Sequence, residues 1–166
     1  MGNLTFEDGR LVGKRGLRFE AVEDMITEAE ALLADGYDMV GEWTLGQNCE
    51  HLRMTLEKSV SGFGFELGFP MNLVVKMVVS KGKIFREGFK PGFKLKGRFK
   101  VMIPSDGLDD GEEVAKLREA VEQFKGSATT KPSPVLGAMS FDDWNLFHMR
   151  HAEHHLGMLR PKPKKG

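Results

Sequence analysis

The sequence has a single cysteine, Cys49, in 166 residues. A lone thiol cannot close an intrachain disulfide, so a disulfide-stapled scaffold and a cysteine cage around a metal are both excluded, and a reducing compartment is indicated. Long apolar runs are missing too. No stretch approaches the ~18 uninterrupted apolar residues of a membrane span, and the opening MGNLTFEDGRLVGKRG has no apolar signal-peptide core. A soluble, cytoplasmic protein with no membrane attachment is expected. Myristoylation is discarded because its motif wants Ser or Thr where this chain has Phe6. Net charge is the third absence. With 24 basic and 24 acidic residues in balance, the charge as a whole does not call for nucleic acid or an anionic membrane.

What is present is enough for one core. A 40% hydrophobic chain of this length suits one domain over residues 1–166, with flexible ends at 1–15 and 160–166. Phe19, Val22, Ile26, Ala29 and Leu33 follow the three-and-four spacing of a helical face that ends at Asp35-Gly36. A second helix opens at Thr44, whose partner Gln47 makes a capping box, and carries Leu45, Cys49, Leu52, Leu56, Val60 and Phe63 on its core face. A third helical stretch covers residues 70–85, with Gly82 weakening its end. Asp110 with Glu113 reads as the cap of a helix bearing Val114, Leu117, Val121 and Phe124. Ser140 with Asp143 opens the last helix, which runs to about Leu159.

Between residues 93 and 103 the apolar period changes to two, with Phe93, Leu95, Phe99, Val101 and Ile103 alternating with mostly basic residues. An extended, strand-like segment across the bundle is expected there. Residues 127–134, rich in Ser, Thr and Pro, read as a loop. Several amphipathic helices and one extended excursion point to an all-α fold by helix-on-helix packing, a four-helix bundle with an extra short helix.

Histidine is distributed unevenly. Of five, His148, His151, His154 and His155 lie within eight residues of the last helix. At about 100° per residue, His148, His151 and His155 share a face with Phe141, Trp144, Phe147, Met158 and Leu159, and His154 sits at its edge. Imidazoles among such neighbours lose hydration, and a metal ion that takes one nitrogen from each ring offsets much of that cost. His151 and His155 are one turn apart and can chelate one ion. The helical metalloprotease motif has the same spacing but a glutamate after its first histidine, where this chain has Ala152, so that reading fails. The alternative is that these rings hydrogen-bond to carbonyls or lie at a wet bundle end. The fifth, His51, lies beside a polar stripe of Asn48, Thr55 and Ser59 that suits a cleft edge; on the residues alone it reads as a surface histidine. Cys49 projects away from it and reads as core.

Three stretches, Arg15-Gly-Leu-Arg-Phe19, Gly41-Glu-Trp-Thr-Leu-Gly-Gln-Asn-Cys-Glu-His-Leu52 and Arg150-His-Ala-Glu-His-His-Leu-Gly157, together resemble the DinB/YfiT-like superfamily of metalloenzymes, closest to a branch known only as a domain of unknown function. Pro91-Gly-Phe93 and Pro134-Val-Leu-Gly137 extend the likeness over nearly the whole chain. The resemblance implies a DinB-like four-helix bundle with one divalent ion held by a histidine of the second helix and a His-x-x-x-His pair of the last, positions that match His51, His151 and His155. It also implies metal-dependent chemistry on a small molecule. Relatives include hydrolases and transferases that use low-molecular-weight thiols, with thiol transfer slightly ahead of hydrolysis for this chain and a non-catalytic metal-binding bundle as a third reading.

Three neutral imidazoles leave coordination positions open, as in catalytic zinc sites. Zinc or nickel is expected first, with iron or manganese compatible. Asn48, His148 and His154 are candidates for partners of the ligands or contacts to substrate. No carboxylate is obviously aimed at the site, since Glu50 and Glu153 face elsewhere on their helices. The basic run Lys81, Lys83, Arg86, Lys90, Lys94, Lys96, Arg98 and Lys100 reads as a solvated face, or else as a rim attracting an anionic substrate. Nucleic acid is the weaker reading for it. A homodimer paired through helix faces fits the fold type.

Overall fold

The computed structural model describes residues 6–7, 10–65, 80–90 and 97–163. Four helices, α1 (Asp24–Asp35), α2 (Leu45–Ser61), α4 (Asp110–Lys125) and α5 (Phe141–Leu156), pack on one another, with α2 lying most extensively against α4. A shorter helix α3 (Lys81–Glu87) rests on α5, and a 3-10 helix (Gly97–Met102) rests on α2. Among the described residues, strands pair in two small antiparallel pairs, β1 (Phe6–Glu7) with β2 (Arg10–Leu11), and β3 (Tyr37–Met39) with β4 (Leu159–Pro161). This is the all-α class expected.

The helix starts follow from side chains that satisfy orphan first-turn donors. Thr44 Oγ1 accepts from Gln47 N at 3.2 Å while Gln47 Oε1 accepts from Thr44 N at 3.1 Å, the predicted capping box. Ser140 and Asp143 form the same reciprocal pair at α5. At α4 the expected cap is displaced by one residue. Asp109 caps by accepting from Glu112 N, whereas Asp110 reaches across to α2, where its Oδ1 accepts from Gly46 N at 2.7 Å and its Oδ2 from the Tyr37 hydroxyl at 2.7 Å. Tyr37 in turn accepts from Leu45 N at 2.9 Å. Two orphan donors of α2 are thus met by a neighbouring helix and strand, which fixes how α2 enters the bundle. Gly46 permits this approach, because a Cβ there would stand 3.0 Å from Asp110 Oδ1.

The chain departs from the expected faces in specific ways. Helix α1 begins at Asp24, whose carboxylate accepts from Glu20 N and Ala21 N, so Phe19 and Val22 reach the core from the preceding turns. The buried stripe then includes Met25 and Leu32, and Leu33 is 43% exposed. Of the third helical stretch, residues 70–79 lie outside the described residues. The described part starts from the Ser80 cap and puts Gly82 in the first turn of α3 rather than at its end.

The expected extended segment is also overturned over its described part; residues 91–96 lie outside the described residues. Residues 97–102 form the 3-10 helix, entered through Gly97 at φ 58°. Its period is three, so Phe99 and Met102 turn inward while Val101 and Ile103 are 59% and 47% exposed. Alternating apolar and basic residues imitate a strand, but among the described residues no strand lies beside 97–103 to accept its backbone hydrogen bonds.

Two residues of the segments expected to be flexible ends, Arg15 and Arg160, are held by other parts of the chain. Arg15 N donates to Gly157 O, Arg15 Nε to Leu159 O and Arg15 Nη2 to Leu156 O, and its guanidinium pairs with Glu28. One side chain therefore closes the carbonyl end of α5 and ties it to α1. A Cβ at Gly157 would lie 2.8 Å from Arg15 O, so glycine is what lets the two segments touch. Arg160 and Pro161 pair with Asp38 and Tyr37 rather than hanging free.

Because Asp110 holds two helices and Asp109 only caps one, the two substitutions separate in a denaturant titration. Asp110→Ala is expected to cost about 2–3 kcal/mol, as a charged acceptor leaves two donors unmet. Asp109→Ala is expected to cost about 1 kcal/mol, the usual value of a cap. Equal losses, or the reverse order, would contradict the bridging role.

Candidate functional site

The polar stripe of α2 is buried, not exposed. Asn48, His51, Thr55 and Ser59 all lie inside the protein, and His51 is only 5% exposed. This stripe faces the histidine face of α5, so residues a hundred positions apart in sequence meet. His51, His151 and His155 converge, with ligand atoms all within 4.8 Å of one another. Their ring centroids are 4.9 Å apart for His51 and His151, 4.6 Å for His51 and His155, and 4.7 Å for His151 and His155. The histidine read as a surface residue is therefore the one that closes the cluster.

Hydrogen bonds assign the ring protons. His51 Nδ1 lies 2.7 Å from the Met102 carbonyl oxygen. A carbonyl can only accept, so Nδ1 donates and Nε2 of the neutral ring is bare. His155 Nδ1 lies 3.2 Å from Asn48 Oδ1. The amide cannot be turned around, because Asn48 Nδ2 donates to the carbonyls of Trp43 at 3.2 Å and Thr44 at 2.8 Å. His155 Nδ1 must then donate as well, and its Nε2 is bare. These are the orienting contacts that metal-binding histidines characteristically make through their second nitrogen.

His151 has no such partner. Its Nε2 stands 3.1 Å from the bare Nε2 of His51, and its Nδ1 is buried without a hydrogen bond. Two imidazole nitrogens this close need a proton or a cation between them. Ligand nitrogens about 2.0–2.1 Å from one ion stand about 3–3.4 Å apart, so the observed spacing suits a shared cation. Three imidazoles without a facing carboxylate are also a donor set compatible with zinc, nickel, iron or manganese. The three histidines fit a divalent ion.

Burial governs the electrostatics. Loss of hydration pushes all three rings below the ordinary histidine value, His151 and His155 furthest, with the neighbouring rings adding to the effect there. At His51 the Met102 carbonyl works against burial without cancelling it. Neutral imidazole, the form that binds metal, is thereby favoured well into the acid range.

The cluster opens on a cavity of about 500 Å³. Trp43 stacks on His155 with centroids 5.4 Å apart and 7° between planes, and Phe89 lies 5.2 Å from His151. His154 also lines the cavity, with Nδ1 3.0 Å from the Phe89 carbonyl and 3.2 Å from Lys14 Nζ. Burial first, and then Lys14, lowers its pKa to about 4.

The remaining candidates fall into place. Asn48 orients a clustered ring, as its position allowed. His148 does not join the cluster; its Nε2 is 3.1 Å from Ser59 Oγ and its ring stacks on Trp144, so it acts in packing. Glu50 accepts from Ser105 N and Glu153 from Phe19 N, both away from the cavity. Cys49 is fully buried in the core, and burial raises its thiol pKa. Of the basic run, Lys81 pairs with Asp143 at 2.9 Å, while Lys83 and Lys90 reach the cavity wall. Lys94 and Lys96 lie outside the described residues.

Sequence reasoning missed the Met102 carbonyl, Trp43, Phe89 and Lys14. A backbone oxygen carries no residue signature. Trp43, immediately before the α2 cap, was visible in the motif, but its stacking partner belongs to another helix.

The family described as "Protein of unknown function (DUF1569)" matches residues 12–162, and the chain belongs to it. No curated protein and no solved structure matches the chain. Among the described residues no helix is long and apolar enough to cross a membrane.

His148 makes the electrostatics testable without touching the cluster. Burial lowers its pKa to about 3 from an ordinary 6.5. The unfolded chain therefore binds a proton that the folded chain refuses between those values, and stability is complete above about pH 6.5 and falls on acidification. In urea titrations, stability is expected to drop below pH 6.5, and His148→Gln is expected to make that slope shallower by about one proton, or roughly 1.4 kcal/mol per pH unit. An unchanged slope would show that His148 is charged in the folded state.

Proposed function

We propose that this DUF1569 member is a metal-dependent enzyme acting on a small molecule, related in fold and site to the DinB/YfiT-like metalloenzymes, with one divalent ion held by His51, His151 and His155. The observation that carries this reading is the pair of Nδ1 hydrogen bonds, to Met102 O and Asn48 Oδ1, that turn bare Nε2 atoms of His51 and His155 toward a cavity wall shared with His151. Zinc or nickel is the leading candidate, with iron or manganese compatible. When bound, such an ion keeps its full double charge among neutral imidazoles and supplies Lewis acidity that lowers the pKa of a thiol or of water.

The chain's own residues support this in three ways. Met102 and Asn48 hold ring protons on the Nδ1 side. The Trp43 and Phe89 rings shield the histidines from bulk water, which strengthens electrostatic interactions at the site. His154 with Lys14 provides donors and acceptors beside the cluster.

Thiol transfer is placed ahead of hydrolysis. Among the described residues the carboxylate on the cavity wall is the exposed Glu87, and none contacts the histidine cluster to act as a base toward water. Bound water would have its pKa lowered in the same way as a thiol, so the order of the two reactions follows the family resemblance. The buried, unpaired Cys49 supports a cytoplasmic location.

Protein purified without a nickel column and analysed by plasma mass spectrometry is expected to contain about one divalent ion per chain. His151→Ala is expected to lose it, and His154→Ala to retain it. Sub-stoichiometric metal that His151→Ala leaves unchanged would overturn the proposal. Assay of the loaded protein with electrophiles and several thiols, against amides and esters, is expected to show turnover only in the thiol-dependent reactions.

A further inference from the structure

The cavity is far larger than a metal site needs. About 500 Å³ lies in the range that holds an organic ligand of considerable size, whereas a thiol, water or small acid at the histidines would fill a small fraction of it. Among the described residues, much of the rest of the wall is apolar. A run of ring contacts leads away from the cluster, from His151 to Phe147 at 5.5 Å, on to Trp144 at 5.2 Å and then to Phe63 at 6.0 Å. Ile84 of α3 and Leu136 of the 133–137 turn complete this part of the wall.

Charge on the wall has one predominant sign. Lys83 and Lys90 line it with Glu87, and neither lysine has a carboxylate of a described residue within ion-pair distance. Lys14 stands behind His154, hydrogen-bonded to an imidazole rather than to a carboxylate. With a divalent ion held at the histidines, a cationic ligand would meet repulsion both there and at the rim, whereas an anionic one would not.

We propose that the cavity takes a substrate with a bulky hydrophobic body and one anionic donor group, the donor facing His51, His151 and His155 and the body lying along Phe147, Trp144 and Phe63. This rests on the metal reading for its donor end only. The apolar wall stands independently of it.

The two parts separate in a titration of the zinc-loaded full-length protein with straight-chain alkyl hydroxamates of two to eight carbons, followed by calorimetry. Affinity is expected to tighten about threefold for each added methylene. Leu136→Asp, which alters the apolar wall and none of the three histidines, is expected to keep zinc at one per chain and to flatten the series. The matching alkylammonium ions are expected not to bind. After chelation of the metal, the corresponding alkyl carboxylates are expected to bind more weakly throughout but with the same increment per methylene.

A flat series in zinc-loaded protein would overturn the hydrophobic body while leaving the metal site intact. Alkylammonium binding as tight as that of the anions would overturn the charge assignment. Failure to load zinc, with the carboxylate increment preserved, would overturn the metal reading and uphold the hydrophobic body.

Discussion

The metal reading of this protein depends on three imidazoles being brought together, His51 and His151 buried and His155 half-buried, and kept neutral. A buried ring with a proton on each nitrogen carries a charge that the interior solvates poorly, so burial selects the neutral form. Neutrality alone does not decide which nitrogen is bare. That choice is made by the Met102 carbonyl for His51 and by the Asn48 side chain for His155. The second of these is robust, because Asn48 is itself locked by two backbone carbonyls at the start of α2. The fold thus converts ordinary helix-start hydrogen bonding into control of a tautomer.

The surrounding architecture serves the same end. His51 rides on α2, and His151 and His155 on α5, so the cluster depends on the relative setting of two helices distant in sequence. Asp110 and Tyr37 fix the start of α2, whereas Arg15 fixes the end of α5 and joins it to α1 through Glu28. The pairing of β3 with β4 adds a second tie near the same end of α5. The 3-10 helix completes the arrangement by presenting one backbone oxygen. Its irregular geometry lets a carbonyl leave regular helical bonding and point at a side chain.

Much of this was legible in the residues. Helix periodicity, the capping boxes at Thr44 and Ser140 and the clustering of histidines on α5 all rest on local spacing, and local spacing survives folding. Where reading failed, the determining contact was non-local. Asp110 has the chemistry of a cap, but Gly46 and Tyr37 claim it. Leu33 has the right period, but the chain enters α1 late and rotates the buried stripe. Residues 97–103 alternate like a strand, yet no neighbouring strand is present among the described residues. The burial of His51 illustrates the limit best: on the residues alone it reads as a surface histidine beside a stripe suited to a cleft edge, and only the opposing face of α5 shows that it is enclosed. The family resemblance, not the pattern, is what set it beside His151 and His155 in the proposed ligand set.

The most direct test is X-ray absorption at the zinc K-edge on protein reconstituted with one zinc ion. The account predicts a shell with three imidazole nitrogens at about 2.0–2.1 Å, completed by light non-protein ligands. A sulfur at the longer distance of a thiolate, or fewer than three imidazoles, would contradict it.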